Sequence, residues 1–255
     1  MNRYSLTMTD WKGTDWDFTN DWAAGIKAGG IDGLIGTMDT TTATPLATPG
    51  QTALSQRAGV MTGALTFLCR AAGGRDAGEV AAALRAAFSP LAHQRSLLKL
   101  STPAGDMVLW VRLGEGMAAP TQDPSWSEVV LDVRIPLVAD DGVWWTMPQQ
   151  GTGTVTITND GDVPVAPTIT WSGAGGVVKV PSGAMFQLPA VTSQHTLVLQ
   201  KIPKITANNE PAAPEVTHAL RAIPIELVPP GATRQFHVPP GATIQWKKGV
   251  LDPWR

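Results

Sequence analysis

The chain has 255 residues, a formal net charge of −2, a pI of about 6.1 and only 16% charged residues. This leaves no basic surplus to neutralise nucleic-acid phosphates or to hold an anionic membrane. The length suffices for one large β domain or two modest ones, and neither half is a charged tail: residues 1–148 hold 11 basic and 15 acidic side chains, residues 149–255 hold 8 and 6.

The first residues, Met1-Asn2-Arg3-Tyr4-Ser5-Leu6-Thr7-Met8, lack the apolar core of about 7–15 residues that marks a signal peptide, and no run approaches the ~20 apolar residues of a membrane-spanning helix. The expectation is a chain made and folded in a reducing cytoplasm. Residues 4–20 read as a hairpin, with Leu6 and Met8 alternating with polar neighbours, Lys12-Gly13 at the turn, and Asp15-Trp16-Asp17-Phe18 returning. Ile31-Asp32-Gly33-Leu34-Ile35-Gly36 reads as a further extended segment. Residues 37–56, rich in Thr, Ala, Pro and Gly, read as a long loop with almost nothing to bury, the kind used for binding or as an arm laid on a neighbour.

Residues 60–70 predict a strand that includes Cys69, the only cysteine. It has no partner for an intrachain disulfide and reads as a small buried hydrophobe. One helix follows: Asp76 caps it, Glu79 completes a capping box, Val80, Leu84 and Phe88 share a face, and Ser89-Pro90 ends it. Residues 97–100 and 107–113 predict a second hairpin, and 128–137 a strand with Val129, Leu131, Val133 and Ile135 on one face. One helix among several strands is an α+β arrangement.

After Gln149-Gln150-Gly151 the helical signal disappears. Val155 and Ile157 alternate with threonines, Asn159-Asp160-Gly161-Asp162 makes a turn, and Val165, Ile169 and Trp171 lead on. Strands over 177–180, 184–188, 195–200, 223–228, 232–238 and 242–247 have the spacing of a sandwich or jelly roll, with 203–218 as the longest loop. The phrase Val-Pro-x-Gly-Ala occurs at 180–184, 228–232 and 238–242. Proline presets φ and lacks a ladder donor, and glycine accepts positive φ, so each copy reads as strand punctuation without chemistry. The fold class is therefore mainly β in two domains: residues 1–148 as an α+β, barrel-like domain with one helix, and residues 149–255 as a β-sandwich or jelly roll.

Catalytic, cofactor-binding and metal-binding residues are all expected to be none. A nucleophile elbow, a phosphate loop and a His-Glu-x-x-His helix are absent from the sequence. His93, His195, His218 and His237 are widely spaced and read as ordinary hydrogen-bonded or surface residues. Asn159-Asp160-Gly161-Asp162 lacks the later ligands of a calcium loop and reads as a hairpin turn, as does Asp140-Asp141-Gly142. The acids Asp10, Asp15, Asp17 and Asp21 beside Trp11, Trp16 and Trp22 have the look of a glycosidase cleft, but strand alternation puts them on a solvent face. Of ten tryptophans, Trp110, Trp171 and Trp246 read as core by alternation; Trp11, Trp16, Trp22 and Trp254 read equally as oligomer interface or as core.

Taken together, Trp11-Lys12-Gly13-Thr14-Asp15-Trp16, Gly30-Ile31-Asp32-Gly33-Leu34, the long loop, the capped helix closed by Ser89-Pro90 and the strand holding Trp110-Val111-Arg112 resemble the N-terminal domain of distal tail proteins from long-tailed bacteriophages. The stretches 154–162, 167–171 and 180–184 look like the galectin-like β-sandwich that follows in that family. The closing residues 249–255 are similar to the ends of minor tail proteins of phages of actinobacteria. The resemblance implies a virion structural protein of the tail tip, without enzymatic activity or cofactor. It further implies assembly in the host cytoplasm into a hexameric homo-oligomeric ring, joining the tail tube protein to the tail hub protein or lysin and surrounding the end of the tape measure protein. The competing implication is a carbohydrate-binding sandwich over 151–248 that attaches to cell-wall glycans, although the polar set around Trp171 that sugar-binding galectins use is absent.

Overall fold

The computed structural model describes residues 4–19, 23–44, 49–120, 128–200 and 202–255. Asn20, Asp21 and Trp22 lie outside the described residues. The chain divides into two compact units, Met1–Trp145 with Val250–Arg255, and Thr146–Gly249. The closing six residues thus belong to the first unit, where a single cut after residue 148 would have put them in the second.

The first unit holds β1 (Ser5–Thr9), β2 (Asp15–Asp17), β3 (Ala24–Gly33), β4 (Met38–Ala43), β5 (Thr52–Ala58), β6 (Met61–Arg70), α1 (Ala77–Ala86), β7 (Ser96–Thr102), β8 (Gly105–Leu113), β9 (Val129–Ala139) and the start of β10 (Trp144–Thr146). The main sheet runs β2-β1-β7-β8-β9-β6-β3, with every adjacent pair antiparallel, and α1 packs on β6, β9 and β3. The predicted capping box forms in full, Asp76 accepting from the Glu79 amide at 2.7 Å and Glu79 from the Asp76 amide at 3.0 Å. Val80 and Leu84 are buried against Phe67, Leu65 and Ile135 in one core, and Phe18 meets Phe67 edge-on with ring centroids 4.7 Å apart. Each such side chain removed from water contributes about 1.5–3 kcal/mol.

Two strand predictions shift for identifiable backbone reasons. The segment read as 31–36 ends at Gly33, because Gly33 and Leu34 both take positive φ, 68° and 57°. Leu34 is held there by its amide bond to the Thr62 carbonyl and by the Trp144 indole, which donates to the Leu34 carbonyl at 2.9 Å. On β9 the face changes partway: Asp132 has φ 57°, the register to β6 slips between Val130 and Val133, and Leu131 is turned out to 63% exposure instead of pointing into the core. A bulge inserts one residue and so reverses the alternation upstream of it.

The second unit holds β11 (Gln149–Gly151), β12 (Thr154–Thr158), β13 (Thr168–Gly173), β14 (Gly176–Lys179), β15 (Met185–Leu188), β16 (Val191–Val198), β17 (Lys204–Ala207), β18 (Glu210–Pro211), α2 (Pro214–Ala219), β19 (Thr233–His237) and β20 (Ala242–Trp246); the short β21 (Gly249–Val250) follows. Two antiparallel sheets, β11-β20-β13-β16-β17-β18 and β12-β19-β14-β15, enclose a second core around Trp171, Phe236, Ile157 and Ile244. The expected loop at 203–218 instead contains two strands and the short helix α2, which starts at Pro214. The expected strand at 223–228 reduces to a single bridge between Val165 and Val228.

All three Val-Pro-x-Gly-Ala copies are turns with a buried valine and a positive-φ glycine: Gly183 at 91°, Gly231 at 73° and Gly241 at 81°. The last two close alike, Ala232 and Ala242 each donating to the carbonyl of the first proline at 3.1 Å. The first copy has Ser182 in place of a proline and closes as a hairpin, with Val180 and Ala184 paired at 2.9 Å.

Candidate assembly surfaces

Residues 37–56 were expected to form a loop and instead contribute most of an exposed hairpin. β4 and β5 pair from Met38 opposite Ala58 to Ala43 opposite Thr52, with an irregularity at Thr41/Thr42 that leaves Leu54 as the extra residue. The Gln56 amide donates to the Thr40 hydroxyl at 3.2 Å, and Arg57 lies 3.8 Å from Asp39. This hairpin is a two-stranded sheet of its own, so neither outer edge is paired to another strand among the described residues. Nearly all its side chains are exposed, and Leu54 is 65% exposed. A lone two-stranded hairpin is marginal in water, and a strand edge without a neighbour is a template for pairing; the only charges on these two strands, Asp39 and Arg57, lie together at one end.

A second surface lies on the outward face of β7 and β8. Trp110, expected in the core, is 37% exposed; the strand's inward positions are taken by Leu109 and Val111. Leu97 lies opposite it on β7, and the Arg95 guanidinium sits 5.5 Å from the indole centroid. Arg112 makes a two-pronged bond to Asp140 at 2.8 and 2.9 Å, and Arg95 approaches Asp141 at 3.6 Å. Hydrogen bonds from Arg112 hold the Asp140 carboxyl below the usual carboxylate range, and a hydrogen bond from Lys99, then one from Ser101, does the same to Asp106. Tryptophan and arginine are the residues that protein interfaces enrich.

The tryptophans near the termini divide. Trp16 and Trp254 pack partly buried on the first core, Trp254 also against the Tyr4 ring at 5.6 Å. Trp11 stays 37% exposed, with Lys12 above its ring and its indole 3.4 Å from the Ala86 carbonyl.

The acids expected on a solvent face include one exception. Asp10 is 6% exposed, and its carboxylate accepts from the Lys12 and Thr14 amides at 2.9 Å and from the Trp16 indole at 3.3 Å. Alternation ends at the turn, where a carboxylate that tethers backbone donors is drawn inward. Asp15 accepts from the Thr9 hydroxyl and Asp17 from the Thr19 amide. His93 lies in the turn after α1, His195 in β16, His218 in α2, and His237 in β19 beside the Thr154 hydroxyl at 3.0 Å. Asn159 is fully buried, and Asp160 pairs with Lys248 at 2.7 Å. Burial pushes the Cys69 thiol up to about 11. Trp171, 2% exposed and donating to the Pro189 carbonyl at 3.0 Å, has no face on which a sugar could stack. Among the described residues no three His, Cys, Asp or Glu side chains are grouped to hold a metal ion.

No protein-family model and no curated protein sequence matches the chain. Solved structures do. The Dit protein (gp 19.1) of phage SPP1, described as a paradigm of the hub adsorption apparatus in phages infecting Gram-positive bacteria, aligns with a TM-score of 0.65 and 11% identity over 98% of this chain and 100% of that one. Chains of the phage p2 baseplate in its activated conformation, with strontium and with calcium, align with TM-scores of 0.54 and 0.55 and 8% identity, covering 96% of this chain and 98% of theirs. The chain has the fold of these phage hub and baseplate proteins, mainly β and in two units.

Proposed function

We propose that this chain, built on the fold of a phage tail hub protein, is a structural component of a siphovirus-type tail tip. The observation that carries the reading is the reach of the likeness: it covers 98% of this chain and the whole of the SPP1 protein, so both units are matched in one order. In this reading residues 1–148 form the ring and the sandwich of 149–255 gives the particle an outer surface. The assembly is a homo-hexamer between tail tube and hub, around the end of the tape measure, put together in the host cytoplasm, and its work is mechanical, not catalytic.

The hairpin of β4 and β5 supports this plan physically. A closed ring needs a head-to-tail contact in which one patch meets a different patch on the next copy. An arm with two unpaired edges and an exposed Leu54 supplies one half of such a contact. The burial of Trp171 weighs against the alternative of a glycan-binding sandwich.

Native mass spectrometry of the full chain tests the ring: a species six times the chain mass is expected, and a monomer at every concentration overturns it. Replacing residues 40–52 by a short Gly-Ser turn is expected to release monomers. An unchanged oligomer would remove the arm from the plan while leaving the ring.

A further inference from the structure

The second unit carries an open surface cavity of about 620 Å³ that the assembly reading does not use. It exists because β13 and β16 lose register: Trp171 lies opposite His195, but Gly173 lies opposite Val191, so β16 carries extra residues that bow away from its partner. Ala174, Val191, Ala207, Ala213 and Val216 give it a small-residue, aliphatic lining, and no Asp, Glu, Lys or Arg contributes. His195 also lines it, although only 6% of that residue is exposed.

The histidine is held in one tautomer. Its Nδ1 lies 3.0 Å from the Ser193 carbonyl oxygen, which can only accept, so Nδ1 carries the hydrogen. In the neutral ring Nε2 is then an acceptor. Nε2 has no hydrogen-bond partner among the described residues and is not sealed from solvent. The ring itself is fixed against the Trp171 indole, with centroids 5.5 Å apart. An occupant that displaces water from Nε2 must bring its own donor, because leaving the acceptor unpaired beneath it costs about 1–3 kcal/mol.

We propose that this cavity receives an aromatic side chain with one hydrogen-bond donor, a tryptophan indole or a tyrosine phenol, from a partner protein, with His195 Nε2 as the acceptor. The lining chooses this class. A flat apolar ring fills the space left by alanines and valines, and its single N–H or O–H meets the Nε2 acceptor in place of water. A sugar brings several hydroxyls, each costly to bury unpaired, and beyond His195 the polar side chains available are the hydroxyls of Thr192 and Ser193. The proposal concerns the second unit alone and does not depend on ring formation.

The test is a titration of the full chain, labelled with ¹⁵N, with indole, 1-methylindole and a methyl galactoside, following the His195 imidazole nitrogens. Indole is expected to shift Nε2 saturably, and 1-methylindole, which lacks the N–H, to bind about tenfold more weakly. His195→Phe should erase the preference between the two indoles. Ala213→Phe, at an exposed position of the lining that does not endanger the core, should abolish binding of both. Equal binding of the two indoles, saturation by the galactoside, or an unmoved His195 at the solubility limit of indole would each overturn the proposal. The oligomer mass is unaffected in every arm, so failure here is separate from failure of the ring.

Discussion

Asn159 shows how one side chain can hold a turn without doing chemistry. Its amide nitrogen donates to the Val163 and Val228 carbonyls at 2.9 and 2.8 Å, and its oxygen accepts from the Gly161 amide at 3.0 Å, all out of reach of solvent. Asn159→Ala is expected to cost about 3 kcal/mol in urea denaturation, because it strands the Val163 carbonyl and the Gly161 amide and leaves the Val228 carbonyl only its bond from the Val165 amide. Asn159→Asp should cost more, since an oxygen would replace the donor facing both carbonyls. The sequence marks this residue as part of a turn, but its partners lie 4 and 69 positions away, and only folding reveals the second. Arg112 and Asp140 offer a pH test at the same scale. Asp140 has a depressed pKa, so its contribution is present above the unfolded value of about 3.9 and is lost as pH falls through the lower folded one. The stability difference between the parent and Arg112→Ala should therefore be largest above about pH 4 and vanish in stronger acid. With Asp140 38% exposed it should stay below about 1 kcal/mol.

Among the elements, helix α1 was legible because its capping box and apolar face agree with its final burial, and the hairpin of β7 and β8 was legible as a strand pair although not in the facing of Trp110. The hairpin of β4 and β5 was not: threonine, serine and alanine without an apolar stripe give no periodicity, and backbone pairing alone defines it. Trp110 and Leu131 misled for the opposite reason, since an apolar residue on a strand is read inward whichever way the register turns it. Turns differ in how much they constrain, and two glycines make the contrast measurable. Gly142 has φ 69°, and a Cβ there would collide with the Gly59 carbonyl, backbone against backbone. Gly13 has φ 86° with open space around it. Gly142→Ala should cost about 3 kcal/mol or more, or fail to fold, while Gly13→Ala should cost about 1 kcal/mol, both read from thermal denaturation.

For the whole molecule, the two cores share no residue. Phe236→Ala, removing a fully buried ring from the second core, should cost about 3–5 kcal/mol there. Hydrogen exchange should then speed up across Thr146–Gly249 and leave Val80, Phe67 and their neighbours protected; loss of protection in both units would mean they unfold as one. The two-domain reading was legible from composition, because helix signals and the Val-Pro-x-Gly-Ala phrases fall in different halves. The ownership of the last residues was not, since nothing local distinguishes a strand end that returns home from one that stays.

Val250 and Trp254 are anchored in the first core, and the Gly36 amide donates to the Leu251 carbonyl at 2.9 Å, so the sandwich is a closed loop hung between two points of one body. The entropy of closing such a loop grows only with the logarithm of its length, about 0.6 kcal/mol per doubling. Joining Trp145 to Val250 through a short flexible linker should therefore leave the first unit folded by circular dichroism, whereas a stop after Gly249 should unfold it. The host fold can exchange its passenger at little thermodynamic cost, provided both ends of the tether stay tied.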